Sequence, residues 1–586
     1  MDKPVNTPAG VSVDPVTLEI VRNALTSIAE RNTHRMIRAS TSIIVKEMED
    51  CSAAVFDGKG RLLAESATIP IHLNCTGVCL RTILEHYHPA ETWRPGDIVI
   101  TNDPYAGGAS MSTAHTNDYV VFMPVFYEEV LVGFTGLMVH HQEIGAMNMA
   151  TRGWNIEIWQ EGLRVPPMKI GENGIVEDRC MRIILNNTRL PDSMENDLLA
   201  QIASVAAASD DMHALFSRYG RETLLRCFEA LIDYSEQRTR AEIAQIPDGV
   251  YEHEELILDD GAKGGPYKLK LAIHKTGSDI LFDFTGTDPQ IRGPINAPLA
   301  TTWAAIFYAM RCVTDPSIPS TEGNKRPFKV IAPEGTLVNA KKPAAVYQRM
   351  VVCHSLVDLV MGALAQIVPE RVMGDSCGCL YNFTSARERG TGNQSVFGEV
   401  VPGGLGATSR ADGIDVMSCH VTNCPIPPIE ATEAECPVLY VQRELQTGTG
   451  GAGKWRGGVG QVLAYKILGD LAELQHTSQK SVTLPQGVAG GLPGGGGRWV
   501  INEGQPNARV LEHSIGELEM LDYGDIVTHY TPGGGGFGNP LERDPALVLR
   551  DVRTGLVTLE QAETIYGIKV TGTQLSDWAP AAGRDA

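Results

Sequence analysis

The chain has 586 residues, 43% hydrophobic and 20% charged, with a formal net charge of −21. That length exceeds one ordinary core, so two or more domains are expected, of globular composition. The acidic balance argues against nucleic acid or an anionic membrane as a main partner. No apolar run approaches ~20 residues, and MDKPVNTPAG lacks the apolar core of a secretory signal, so a cytoplasmic protein is expected.

Asp14-Pro15 opens the first predicted helix, as N-cap and first-turn proline, and Leu18, Val21, Leu25 and Ile28 keep one apolar face through Arg31. Ser52–Phe56 and Arg61–Ala64 flank the turn Asp57-Gly58-Lys59-Gly60 and read as a hairpin. A helix over Cys75–Tyr87 and a strand over Asp97–Thr101 follow. A Gly-rich loop, Asn102–Gly108, then leads to His115 and Asp118. Two apolar runs, Tyr119–Phe126 and Val130–Val139, are split by Glu128-Glu129 and read as an antiparallel hairpin that delivers the chain to His140-His141. A hairpin brings its outer ends together, which places His115, Asp118 and His140 within reach of one another. Two imidazoles and a carboxylate suit Zn or Mn; a hydrogen-bonded His–Asp pair is the other reading of the same spacing.

Residues 147–170 read as loop. Asp192–Tyr219 and Arg221–Ala244 are long helical patterns separated by Gly220, and Pro247-Asp248-Gly249 marks a subdomain boundary. Strands alternate with turns from about 250 to 345, with helices over Thr301–Thr314 and Cys353–Ile367. From Gly374 through Gly538 glycine is dense and helical periodicity is absent; Val, Leu, Trp and Tyr punctuate the glycine knots, which suits close-packed extended backbone. After Asp544-Pro545 helices return, with Thr558 and Gln561 forming a capping box. The expected units are 1–248, 249–373, 374–543 and a tail at 544–586, in an α+β, multidomain chain.

The 12 cysteines are scattered and are expected as mostly buried thiols. Cys75/Cys79, Cys377/Cys379 and Cys419/Cys424 lack the paired spacing of a structural zinc site. Gly448–Lys454 has P-loop spacing, but Trp455 stands where a magnesium-ligating Ser or Thr belongs. No nucleotide site is expected in this chain.

The succession NDPYAGG, H-x-x-D, HHxxIG and WQEGLRVPPMKI resembles the hydantoinase B/oxoprolinase family. So do ILNNTRLP, DFTGT, GPINAP, EGNKRP, PEGTLVN, HVTNCPIPPIEATE, GGAGKWRGGVGQ and TPGGGGFGNP, so the resemblance spans nearly the whole chain. It implies a partner of the hydantoinase A type that binds ATP and Mg and phosphorylates a carbonyl oxygen, and leaves room for a small accessory subunit as a further partner. It also implies a small-molecule carbonyl substrate and a metal held by the residues matching His115, Asp118 and His140, with Asp50 as fourth ligand or catalytic base. His141 and Glu143 are further catalytic candidates, with His141 also readable as a hydrogen-bond partner of a ligand and an exposed side chain the favoured reading of Glu143; His72, Asp103 and His420 carry smaller weight. Two departures from the family pattern sit at this site: SMSTA (110–114) lies between the Gly loop and His115, and KEMEDCSAAVFD replaces the hydrolase pattern upstream. They favour carboxylation of a ketone such as acetophenone with bicarbonate. The alternatives are ATP-dependent hydrolysis of a hydantoin, lactam or 5-oxoproline, and a non-catalytic structural role in such a complex. The implied fold has β-rich, barrel-like sheets with helices and a Gly-rich bundle of polyproline-II-like segments.

Overall fold

Asp14 caps the first helix: its carboxylate accepts the Thr17 N–H at 2.9 Å, and α1 runs over Pro15–Ala39. The helix outlasts the predicted apolar face because Met36, a turn beyond it, is also buried. These positions come from a computed structural model that describes residues 13–108, 110–147, 155–261, 264–511, 515–516, 518–571 and 579–580.

A short helix, α2 (Ile43–Lys46), precedes strands β1 (Cys51–Asp57) and β2 (Leu62–Glu65). Helix α3 (Cys75–His86) and strand β3 (Ile98–Thr101) follow, then the long hairpin β4 (Asp118–Tyr127) and β5 (Val130–His140). Its two turn residues, Glu128 and Glu129, have φ of 49° and 61°, the left-handed conformation a two-residue hairpin turn requires. Strands β6 (Met168–Glu172) and β7 (Ile175–Val176) complete a seven-stranded sheet of order β2-β1-β5-β4-β3-β6-β7. The loop expected over 147–170 carries one turn of 3-10 helix, Ile158–Gln160, and its last three residues from Met168 are already strand β6; residues 148–154 of it lie outside the described residues.

Helices α4 (Asp178–Leu185), α5 (Pro191–Tyr219) and α6 (Arg221–Ile243) come next. One face of the sheet (Tyr119, Val121, Leu137, Val139) packs on α5 through Leu198, Ile202 and Val205. The opposite face (Val120, Phe122, Met138) packs on α3 through Cys75, Cys79 and Leu80. Period-two alternation therefore decides which hairpin residues meet which helix.

Strands β8 (Gly249–Ile257), β9 (Tyr267–Thr276), β10 (Asp279–Asp283) and β11 (Phe328–Ile331) form a second sheet. Helices α7 (Leu299–Val313) and α8 (Met350–Leu364) share its apolar core. Helix α8 is buried almost all round, so its MVVCHSLVDLVMGAL sequence shows little amphipathic contrast.

The glycine-rich region holds β12 (Leu380–Arg387), β13 (Gln394–Val400), β14 (Val438–Leu445), β15 (Gln461–Ile467) and β16 (Asp470–Ser478), then β17 (Arg498–Ile501), β18 (Arg509–Val510), β19 (Glu519–Leu521) and β20 (Ile526–Tyr530). They make two antiparallel sheets, β13-β12-β16-β19 and β14-β15-β20-β17-β18, which share one core; Phe397 meets Tyr465 edge to face. A helix also forms where none was expected, over Ile429–Glu435, which is too short to show a 3.6-residue period. Between the sheets, extended glycine segments bond to one another: Gly534 donates to the Gly458 carbonyl at 2.9 Å, and Gly451 to that of Gly534 at 2.8 Å. A Cβ on Gly534 would lie 2.1 Å from the Leu405 carbonyl oxygen, so only glycine fits there. Two tail helices, Pro545–Arg553 and Leu559–Thr564, follow, the second with the expected Thr558/Gln561 capping box, and after them Val570–Thr571 pairs with Ala579–Pro580. No helix among the described residues is long and apolar enough to cross a membrane.

Candidate metal centre

Strand pairing builds the site. Cys51 pairs with Val139 across β1–β5, and the His140 N–H donates to the Asp50 carbonyl at 3.1 Å. Asp118 pairs with His140 across β4–β5. Asp50, His140 and Asp118 therefore stand side by side at one end of three neighbouring strands. His115 joins them through the turn before β4, its Nε2 3.0 Å from Asp118 Oδ1 and its ring centroid 4.9 Å from that of His140. Ligand atoms of His115, Asp118 and His140 all lie within 4.8 Å of one another. His72, from the Pro70–His72 turn, brings Nε2 to 3.8 Å from Asp50 Oδ1 and 3.9 Å from Asp118 Oδ1.

The SMSTA segment does not swing His115 away, because it is pinned between α3 and α7. Ser110 Oγ accepts the Leu299 N–H, its carbonyl accepts the Ala300 N–H, and Thr82 Oγ1 donates to the Met111 carbonyl at 2.7 Å. Asn102 of the Gly loop bonds the carbonyls of Thr116 and Leu163 and accepts the Val165 N–H. Asp103 caps its own turn through Tyr105 N–H and pairs with Arg164.

Two candidates are corrected. His141 falls on the other face by alternation: its ring meets Tyr119 and its Nε2 lies 3.2 Å from Gln201 Oε1 on α5. Glu143 is buried, not exposed, and its carboxylate is taken up by Gly145 N–H, Thr188 Oγ1–H, and the backbone N–H and guanidinium of Arg189. His420 bonds the Tyr308 hydroxyl at 2.9 Å. Eleven of the twelve cysteines are buried or half-buried and all are free thiols; the exception is exposed Cys312.

Three contributors went unnoticed in the sequence. Arg349 places a guanidinium nitrogen 3.3 Å from Asp118 Oδ2. Tyr347 sets its ring 5.3 Å from that of His115. Glu161 accepts the backbone N–H groups of Val346 and Tyr347, so it holds the loop that carries both. The one signal was polar Gln348-Arg349 directly before a long apolar run.

Burial pushes His140 down to about 3 and His72 to about 4, and drives His115 well below its ordinary range, with Arg349 adding to the effect. All three imidazoles are thus neutral at pH 7, the form that binds metal. Burial, reinforced by the charge of Asp118, pushes Asp50 up to about 7, with Arg349 opposing. His115 Nδ1, His140 Nδ1 and Asp50 Oδ1 are buried without a hydrogen-bond partner. Orphaned polar atoms are costly, and an ion between two imidazoles and a carboxylate would engage such atoms, so the residues fit a divalent metal. His115, His140, His72 and Asp50 line a cavity of about 80 Å³ whose remaining walls include Ile69, Met350, Leu380 and Phe383. A cavity that takes benzene is ~150 Å³, so a ring-sized substrate enters only if this one expands.

The model of the family described as hydantoinase B/oxoprolinase matches residues 14–540. A protein of Pseudomonas sp. (strain NS671), named as the B chain of a D-/L-hydantoinase, is 31% identical, covering 97% of each chain. The beta chain of caprolactamase from Pseudomonas jessenii is 29% identical over 98% of this chain and 100% of its own. The crystal structure of the ATP-dependent caprolactamase from that organism has a TM-score of 0.86 at 28% identity, covering 97% of this chain and 98% of the other. A nucleotide-free acetone carboxylase has a TM-score of 0.87 at 18% identity, covering 97% and 81%, a likeness of fold alone.

Proposed function

Since the chain belongs to the hydantoinase B/oxoprolinase family, we propose that it is the B-type component of an ATP-dependent amidohydrolase complex that opens a cyclic amide. The observation that carries this reading is the convergence of buried His115, Asp118 and His140, two of which, His115 and His140, line one cavity. Relatives at 29–31% identity are named for hydantoin and lactam substrates, whereas the acetone carboxylase shares the fold alone. That balance moves the preference from ketone carboxylation, which the altered site sequence favoured, to hydrolysis.

An amide is a poor electrophile. Phosphorylation of its oxygen by a partner ATPase creates a leaving group, and the present chain then receives the activated carbonyl. His115, Asp118 and His140 would hold a divalent ion of the Zn or Mn type. Such an ion, when bound, supplies Lewis acidity toward a carbonyl or phosphoryl oxygen. Asp50, with one carboxylate oxygen that no protein hydrogen bond engages, is placed to accept a proton from water or to complete the metal's donor set. Tyr347 and apolar side chains line the cavity, and electrostatic contacts gain strength in such low-dielectric surroundings.

The test is reconstitution with the ATPase partner. Purified complex is assayed for ATP hydrolysis and ring opening with hydantoin, 5-oxoproline and caprolactam, beside acetone and acetophenone with bicarbonate. Ring opening coupled to ATP supports the reading; carboxylate formed only from the ketones replaces it with the carboxylase.

A further inference from the structure

Arg349 is a buried cation with donors to spare. Its side chain is 4% exposed, yet its acceptors are one Asp118 oxygen at 3.3 Å and the Tyr347 carbonyl at 3.5 Å. Its Nε is buried with no partner. A guanidinium offers five N–H donors, and leaving them unused away from water is costly. Two other buried cations among the described residues have more carboxylates against them, although the Nε of Arg543 is likewise without a partner. Lys480 has carboxylates of Asp358, Asp375 and Glu255 at 3.0–3.3 Å, and Arg543 has Asp412 and Asp551 at 2.5–2.8 Å.

The position of Arg349 adds a second element. It is the N-cap residue of α8, a 15-residue helix, and both it and Met350 line the cavity. A helix N-terminus carries partial positive charge and attracts anions. His354, one turn along α8, also lines the cavity, and its Nδ1 has no partner. Charge points the same way: Arg349 offsets Asp118, so a divalent ion in the triad leaves the pocket net positive.

We propose that Arg349 and the N-terminus of α8 form an oxyanion-binding pole beside the metal triad, which holds a phosphoryl or carboxylate oxygen of the substrate. The assignment deepens the function proposed above and rests on it for the identity of the substrate, though not for the presence of the pole. A phosphorylated carbonyl compound presents such oxygens next to the reacting carbon, and the guanidinium fork matches them in a way an ammonium does not.

The test is calorimetry on the full-length chain loaded with Zn²⁺, titrated with inorganic phosphate, acetate and neutral acetamide. Metal content and melting temperature are recorded for wild type, Arg349→Gln and Arg349→Lys. Phosphate should bind the wild type at least ~10-fold more tightly than Arg349→Gln, with acetamide unaffected. Arg349→Lys keeps a charge beside Asp118 but loses the fork, so it should also bind phosphate more weakly than wild type; it decides the matter if Arg349→Gln loses its metal or fold. Tighter binding of phosphate than acetate assigns the pole to a phosphorylated substrate, and the reverse to a carboxylate group. No binding of either anion by the wild type, or equal affinity in wild type and the metal-loaded variants, overturns the proposal. The ring-opening assay of the complex is a separate readout, so either conclusion can fail without the other.

Discussion

Glu161 accepts the backbone N–H of Tyr347 at 2.8 Å while its own carbonyl accepts the Thr116 hydroxyl at 2.8 Å, so one buried residue joins the loop carrying Arg349 to the turn carrying His115 and Asp118. Glu161→Ala strands two buried N–H groups, each costing about 1–3 kcal/mol. The variant should unfold at lower urea and bind metal about 10–100-fold more weakly. Glu161→Gln, which still offers an acceptor, should recover most of both. Equal urea midpoints in all three proteins would show that the loop is held by other contacts.

Acid should destabilise the chain through its buried histidines. Burial holds His420 down to about 3 in the fold, against about 6.5 in an unfolded chain. Below pH 6.5 the unfolded state therefore binds the extra proton, and stability falls as pH drops, by about 1.4 kcal/mol per unit for each such group, until the native value near 3. Above 6.5 the term is constant. Urea midpoints measured from pH 7.5 down to 5 should show this slope, and His420→Gln should reduce it by that one group's share. An unchanged slope in the variant would assign the acid sensitivity elsewhere.

Gly534→Val should destabilise by about 1–3 kcal/mol through overpacking, since its Cβ would lie 2.1 Å from the Leu405 carbonyl oxygen. The thermal midpoint reads this directly; one equal to wild type would mean that the glycine bundle gives way locally.

The isolated chain should not bind ATP tightly. Gly448–Lys454 belongs to the glycine bundle: the Gly451 N–H is spent on the Gly534 carbonyl, and Lys454 donates its backbone N–H to Gly538. Calorimetry should find no micromolar ATP affinity; finding one would place a nucleotide site in this chain and remove the need for an ATPase partner.

The hairpin, the two long helices split by Gly220 and the capping box were legible because each has a local cause: period-two alternation, a helix-ending glycine, or a side chain that reaches its own backbone. The meeting of His115, Asp118 and His140 was legible for the same reason, as it follows from hairpin register. Arg349, Tyr347 and Glu161 were not, because they reach the site through contacts 185 to 231 residues apart that no local pattern encodes. The face chosen by His141 depended on alternation continuing one residue past the strand end, and the burial of Glu143 on a partner, Arg189, from a different segment.

The most direct test of the metal triad is elemental analysis of the purified chain as wild type, His115→Ala and His140→Ala, with far-UV circular dichroism to verify folding. A stoichiometric divalent ion of the Zn or Mn type is expected in wild type, with its loss from both folded variants together with the activity of the reconstituted complex. Equal metal content in all three, or a fully active wild-type complex without metal, would contradict the triad's role.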